Sequence, residues 1–198
     1  MNNYEKMLSD ARLRFTGYDM AALCVRSGVE DGGEDIRTSF LGEIVLIHKE
    51  TGRMRIGGRD ADFGETLSVF DWLCDGKAHA VAAKEYCTVG NLPGVYVGGS
   101  GLSMEMPRLA KAIDAAPDAF RKGCQIMGGT EENLGDLGVK LKIFPGLHMY
   151  LKFYFADEEF PPQLTLLWDK NILQFVRYET VYYIAGCLQK RLLNLLGK

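Results

Sequence analysis

From Leu147 to Phe155 the chain alternates without a break, with Leu147, Met149, Leu151, Phe153 and Phe155 set between His148, Tyr150, Lys152 and Tyr154. Successive side chains of a β-strand leave opposite faces. The run therefore gathers its large apolar residues on one side only as a strand; on a helix they would scatter around the axis. A single strand cannot satisfy its own backbone, and the flanking sequence supplies partners. Val139, Leu141 and Ile143 alternate with Lys140 and Lys142, and Pro145-Gly146 turns the chain into the next stretch. Leu164, Leu166 and Trp168 extend the pattern, and Asp169-Lys170-Asn171 turns it again. Connections this short join antiparallel neighbours, so residues 139–176 read as a meander with one face buried and the other polar.

A second β unit lies upstream. Ile36, Thr38 and Phe40 alternate with polar residues, Gly42 marks a bend, and Glu43 to His48 is rich in β-formers. Lys49-Glu50-Thr51-Gly52 has the make-up of a tight turn, and Arg53-Met54-Arg55-Ile56 then alternates out and in. Short extended pieces are predicted at Tyr86–Val89 and Val95–Val97. The acidic run Glu30 to Asp35 reads as a surface loop.

The remaining periodicity is helical. Tyr4, Met7, Leu8, Ala11 and Phe15 share a face before Gly17, and Asp19 is placed to cap a short helix ending at Gly28. Thr66 is placed to cap a helix from Leu67 to Asp75, stopped by Gly76. Further helices are predicted from Met104 to Asp114 and from Pro117 to Gly128-Gly129. Val181, Ile184, Ala185, Leu188, Leu192 and Leu195 form the apolar stripe of a long terminal helix led by Glu179. With 198 residues, 47% of them hydrophobic, the chain holds enough apolar mass for one core. The expectation is a single α+β domain over residues 1–198. Its antiparallel sheet joins the 36–57 hairpin to the meander, with helices packed on it and the long helix last.

Composition narrows function mainly by exclusion. A net charge of −3 with scattered basic residues argues against nucleic acid as a partner, and Arg53-Met54-Arg55 is too short for a basic cluster of that kind. No apolar run reaches membrane-spanning length, and the first residues lack the basic and apolar blocks of a signal peptide. Cys24, Cys74, Cys87, Cys124 and Cys187 are odd in number and widely spaced, which fits neither a zinc ribbon nor an iron–sulfur cluster. The simplest location is the reducing cytoplasm.

One stretch, Asp157-Glu158-Glu159-Phe160-Pro161-Pro162, stands beside three others: Phe144-Pro145, Leu166-Leu167-Trp168-Asp169, and the Glu179-led helix. In these features the chain resembles the bacterial family named domain of unknown function 3786. That family shows a Phe-Pro turn between strands, an acidic Phe-Pro-Pro run, an apolar strand ending in Phe-Asp and a Glu-led terminal helix. Phe40-Leu41-Gly42 and Val69 to Leu73 are weaker likenesses. The chain departs from the family at Tyr178, where a small N-capping residue is usual. It also lacks the cysteine-rich iron–sulfur domain that some relatives carry, a type found beside corrinoid methyl-transfer systems. The resemblance implies an accessory role near corrinoid or redox enzymes and assigns no catalytic role to any position.

Three candidate sites follow from the residues themselves. The polar side of the alternating strand puts His148, Tyr150, Lys152 and Tyr154 on one surface, a set suited to binding an anion or moving a proton. The alternative is an ordinary wet sheet face. Gly99, Ser100 and Gly101 lie in a glycine-rich stretch leading towards a helix, where backbone N–H groups can cradle phosphate, although the ending of a nucleotide-binding loop is missing. The alternative there is a plain connection. The acidic run at Asp157 offers oxygen ligands but lacks the spacing of a calcium loop, so it reads as a structural turn with no metal. Phe160 is expected to anchor that turn in the core, with Glu158 and Glu159 wet. The functional expectation is a binding or accessory module for a small-molecule ligand or a protein partner, with no cofactor indicated. The rival is an enzyme acting on a small anionic ligand through the His148 face.

Overall fold

The computed structural model describes residues 2–25, 28–77, 79–95 and 104–198. The strands form two antiparallel sheets, each five-stranded. The first contains β1 (Glu30–Gly32), β2 (Asp35–Phe40), β3 (Glu43–His48), β4 (Met54–Ile56) and β5 (Arg59–Asp60), paired in chain order. The second contains β6 (Tyr86–Cys87), β7 (Thr130–Glu132), β8 (Leu137–Phe144), β9 (Leu147–Tyr154) and β10 (Gln163–Asp169), in the order β6-β10-β9-β8-β7. The α+β expectation holds, but the hairpin and the meander, expected to share one antiparallel sheet, each belong to a sheet of their own. The alternating run is the middle strand of the second sheet. Leu147, Met149, Leu151 and Phe153 are fully buried on one side of it, as the period of two requires.

Helices cover the buried faces: α1 (Asn3–Thr16), α2 (Met20–Cys24), α3 (Phe63–Phe70), α4 (Pro107–Ala115), α5 (Pro117–Ile126), α6 (Ile172–Phe175) and α7 (Tyr178–Leu195). A π-helical turn, Asp71–Asp75, continues α3. The long helix α7 packs against α3, α4 and α5, with Val181, Ile184, Ala185, Leu188 and Leu192 buried. Leu193 completes the stripe in place of Leu195, which stays 37% exposed.

The two sheets meet at the β2–β3 and β8–β9 turns. The Leu41 N–H donates to the Ile143 carbonyl at 2.9 Å. Phe40 stacks on Phe144 at 5.0 Å between centroids, and Trp72 stacks on the same Phe144 at 4.7 Å with rings 3° from parallel. Aromatic pairs of this kind contribute about 0.5–1.5 kcal/mol each beyond their buried area. Gly42 fits here for lack of a side chain: its φ is +84°, and a Cβ would lie 2.3 Å from the Met127 carbonyl oxygen at the end of α5.

Several local expectations need correction. The cap of α3 is Asp62, which accepts from the Glu65 N–H at 3.0 Å while Glu65 accepts from the Asp62 N–H at 2.9 Å. This reciprocal box sits one turn ahead of Thr66, which is buried inside the helix. The acidic stretch expected as a loop supplies β1, whose Glu30 pairs with Arg37 of β2. α2 stops at Cys24, short of Gly28, and the meander ends at Asp169, followed by the helical turn α6. Tyr178 is the first residue of α7. Arg177 precedes it, donating its N–H to Asp71 at 2.6 Å and its guanidinium to Asp71 and Asp75, so tertiary partners stand in for a capping side chain. No helix among the described residues is long and apolar enough to cross a membrane.

Candidate functional site

The open face of the second sheet is built by register. β9 places His148, Tyr150, Lys152 and Tyr154 on its polar side, the first three half-buried and the last exposed. Pairing with β8 sets Lys142 opposite His148 and Lys140 opposite Tyr150. Pairing with β10 sets Thr165 opposite Lys152 and Gln163 opposite Tyr154. From the far edge Tyr86 of β6 reaches over to Tyr150, edge to face, with centroids 4.5 Å apart. The Lys140 ammonium lies 5.8 Å from the Tyr150 ring and the Lys152 ammonium 4.8 Å from the Tyr154 ring. All four residues predicted for this site are thus brought together, and the two β8 lysines and Tyr86 join them.

Charge on this face is unbalanced. Among the described residues the lysines that pair with carboxylates are Lys49, Lys170 and Lys190, whereas Lys140, Lys142 and Lys152 make no such pair. Burial, then the nearby Lys140 and Lys142, hold the His148 imidazole below its ordinary pKa, against the weaker upward pull of Asp169. Burial also raises the Tyr86 hydroxyl, with Tyr150 and Asp169 adding to it. The face therefore offers three lysine side chains, an imidazole held below its ordinary pKa and a cluster of tyrosine rings.

Asp169, at the end of β10, is 1% exposed. Its carboxylate accepts from the backbone N–H groups of Ala83 at 2.9 Å, Lys84 at 2.8 Å and Asn171 at 2.8 Å. It ties the strand end to the segment leading into β6, and so to Tyr86. The acidic turn is likewise occupied internally: Asp157 Oδ1 accepts from the N–H groups of Glu159 at 2.8 Å and Phe160 at 2.7 Å. Phe160 corrects the sequence reading, being 56% exposed rather than inserted in the core. The Asx turn spends the local hydrogen bonds on closing the loop and leaves the ring outside. Among the described residues no group of three or more acidic, histidine or cysteine side chains is arranged to hold a metal ion.

The model of the family described as domain of unknown function 3786 matches residues 19–191 of the chain. The chain belongs to that family. No curated protein and no solved structure matches it. The features that carry the likeness to the domain of unknown function 3786 family now have physical roles. Phe144 is the stacking centre where the sheets meet, Asp169 the buried acceptor of three N–H groups, and Asp157 the closure of its own turn. Each role is architectural.

The remaining sequence candidates separate. Gly99, Ser100 and Gly101 lie outside the described residues. Among the cysteines, burial pushes Cys124 and Cys187 up to about 12 and raises Cys24 and Cys87, which is the opposite of thiolate activation. Sequence reasoning missed two concavities. A cleft of 740 Å³ opens beside β10, walled by Val89, Met106, Ala110, Pro162, Leu164 and Leu166 among others. A smaller pocket of 390 Å³ lies on the first sheet, lined by Asp35, Leu46, His48, Thr51, Arg53 and Arg55. The alternation of Arg53 and Arg55 was its one visible sign in the sequence.

Proposed function

We propose that the protein is a binding or accessory module of the cytoplasm, presenting the open face of its second sheet to a small anionic ligand. The observation that carries this reading is the set of three lysines, Lys140, Lys142 and Lys152, without carboxylate partners around Tyr150 and Tyr154. Unpaired ammonium groups on a half-buried surface gain most from an anion that arrives with its charge exposed, and the rings supply flat contact area. The family likeness to proteins with an iron–sulfur domain supports service beside corrinoid or redox enzymes. Five cysteines, odd in number and widely spaced, agree with a reducing compartment.

Binding is favoured over catalysis because the face is open, and chemistry on a bound anion generally needs water excluded. The depressed pKa of His148 supports the second reading, an enzyme acting on a small anionic ligand, since a neutral imidazole beside lysine-held charge can accept a proton. A thermal-shift screen of anionic metabolites and corrinoids separates the two. A stabilising anion whose effect is lost in Lys140→Gln/Lys152→Gln supports the site. Turnover of that anion, abolished in His148→Gln while binding persists, selects the enzyme. An anion shift that survives the double lysine variant refutes the site.

A further inference from the structure

We infer that the pocket on the first sheet is a second, separate binding site, and that it takes the phosphoryl group of a small phosphorylated molecule. The hairpin builds it. The turn after β3 brings Thr51 and Arg53 back beside His48, and the His48 N–H donates to the Arg53 carbonyl at 2.9 Å, so the ladder extends one residue before β4. Arg53 and Arg55 then project to the same side, roughly 7 Å apart along the strand. Leu46, opposite Arg55, forms an apolar floor, and Asp35, opposite His48, closes the far wall.

The arginines are what distinguish this place. Two other guanidinium groups show what a tightly held one looks like: Arg59 grips Glu65 through two nitrogens, and Arg14 bonds Asp75 at 2.7 Å. Arg53 and Arg55 are held by looser ion pairs, with Asp60 at 3.5 Å and with Asp35 at 3.8 Å, and neither makes a side-chain hydrogen bond to these carboxylates among the described residues. An incoming phosphoryl group competes with these two ion pairs for the guanidinium donors. The His48 imidazole lines the same pocket, and its Nδ1 is buried with no hydrogen-bond partner. Two guanidinium forks, an imidazole and a hydroxyl converge on a volume of 390 Å³, larger than one phosphate needs. A tetrahedral phosphoryl oxyanion uses several donors at once, which suits forks better than point charges. The surplus volume, with Leu46 beneath and the Asp35 carboxylate as acceptor, suits a short organic body bearing hydroxyl groups. The site shares no residue with the β9 face, so the two proposals stand or fall separately.

The test is a backbone-amide NMR titration of the full chain with inorganic phosphate, against sodium chloride at equal ionic strength. Saturable shifts confined to the Leu46–Arg55 hairpin and Asp35 are expected with phosphate and absent with chloride. Arg53→Gln/Arg55→Gln should weaken binding about tenfold or more, because both forks are lost. His48→Gln should weaken it less, and Lys140→Gln/Lys152→Gln should leave it unchanged. Arg53 and Arg55 are mainly solvent-facing, and unchanged amide positions in the rest of the spectrum will confirm an intact fold; Arg55→Gln alone serves as a milder variant. Absence of saturable shifts, equal shifts with chloride, or undiminished binding in the arginine variants would overturn the assignment.

Discussion

Replacing Asp169 with asparagine keeps the shape of the side chain and removes its charge. In the native state both carboxylate oxygens are used: Oδ1 accepts from Ala83 and Asn171, Oδ2 from Lys84. An amide retains one acceptor oxygen and sets an NH₂ group against the remaining N–H, so two donors face each other at a site 1% exposed. A hydrogen bond to a charged group is worth about 1.5–3 kcal/mol, and an unsatisfied buried donor costs about 1–3 kcal/mol. Ala83 is half-buried and Lys84 exposed, so the segment can draw back and rehydrate, which returns part of the loss. The Lys84 φ of +59° adds a strain of order 1 kcal/mol that the carboxylate helps to hold, and release of that strain also offsets the cost. The net expectation is a destabilisation of about 2–3 kcal/mol, a large share of the 5–15 kcal/mol typical of a folded domain. Urea unfolding gives the magnitude, and native-state hydrogen exchange gives the place: the amides of Ala83, Lys84 and Asn171 should lose protection first. A loss below about 0.5 kcal/mol, with those amides exchanging as in the wild type, would refute the reasoning.

Two further outcomes follow from the geometry. Phe160→Ala should cost less than about 1 kcal/mol in urea unfolding, because the ring is mostly in solvent; a loss of several kcal/mol would mean that it is buried after all. The folded-state pKa of His148 lies below the ordinary 6.5, so on acidification the unfolded chain binds its proton first. Stability should therefore fall as pH drops through 6.5 towards the lower folded value, and His148→Gln should flatten that dependence; identical pH profiles for the two proteins would exclude it.

Much of the architecture was readable because it depends on local periodicity. The alternation from Leu147 to Tyr154 can bury four large side chains in one conformation only, and the Lys49–Gly52 turn, the Asp19 cap and the α7 stripe are equally local. Misreadings arose where two local signals competed and tertiary contacts chose between them. Thr66 and Asp62 both look like caps, and Glu65, already bound to Arg59, favours the earlier one. Glu30–Gly32 has loop composition, yet β2 offers it an edge to pair with.

For the candidate sites the division is sharper. The sequence by itself determined that His148, Tyr150, Lys152 and Tyr154 share a surface, because strand geometry leaves them no other arrangement. Register decided the rest: Lys140, Lys142 and Tyr86 reach that face through pairing across strands, which no single-strand pattern specifies. Phe160 shows the converse, an apolar residue whose burial sequence reasoning assumed and whose turn, closed by Asp157, leaves it in solvent. Arg53 and Arg55 were visible as alternating charges, but only the folded hairpin shows them beside His48 and loosely paired with Asp60 and Asp35. A side chain's direction is a property of its own strand; whether its hydrogen bonds are already taken depends on residues that folding brings from elsewhere in the chain.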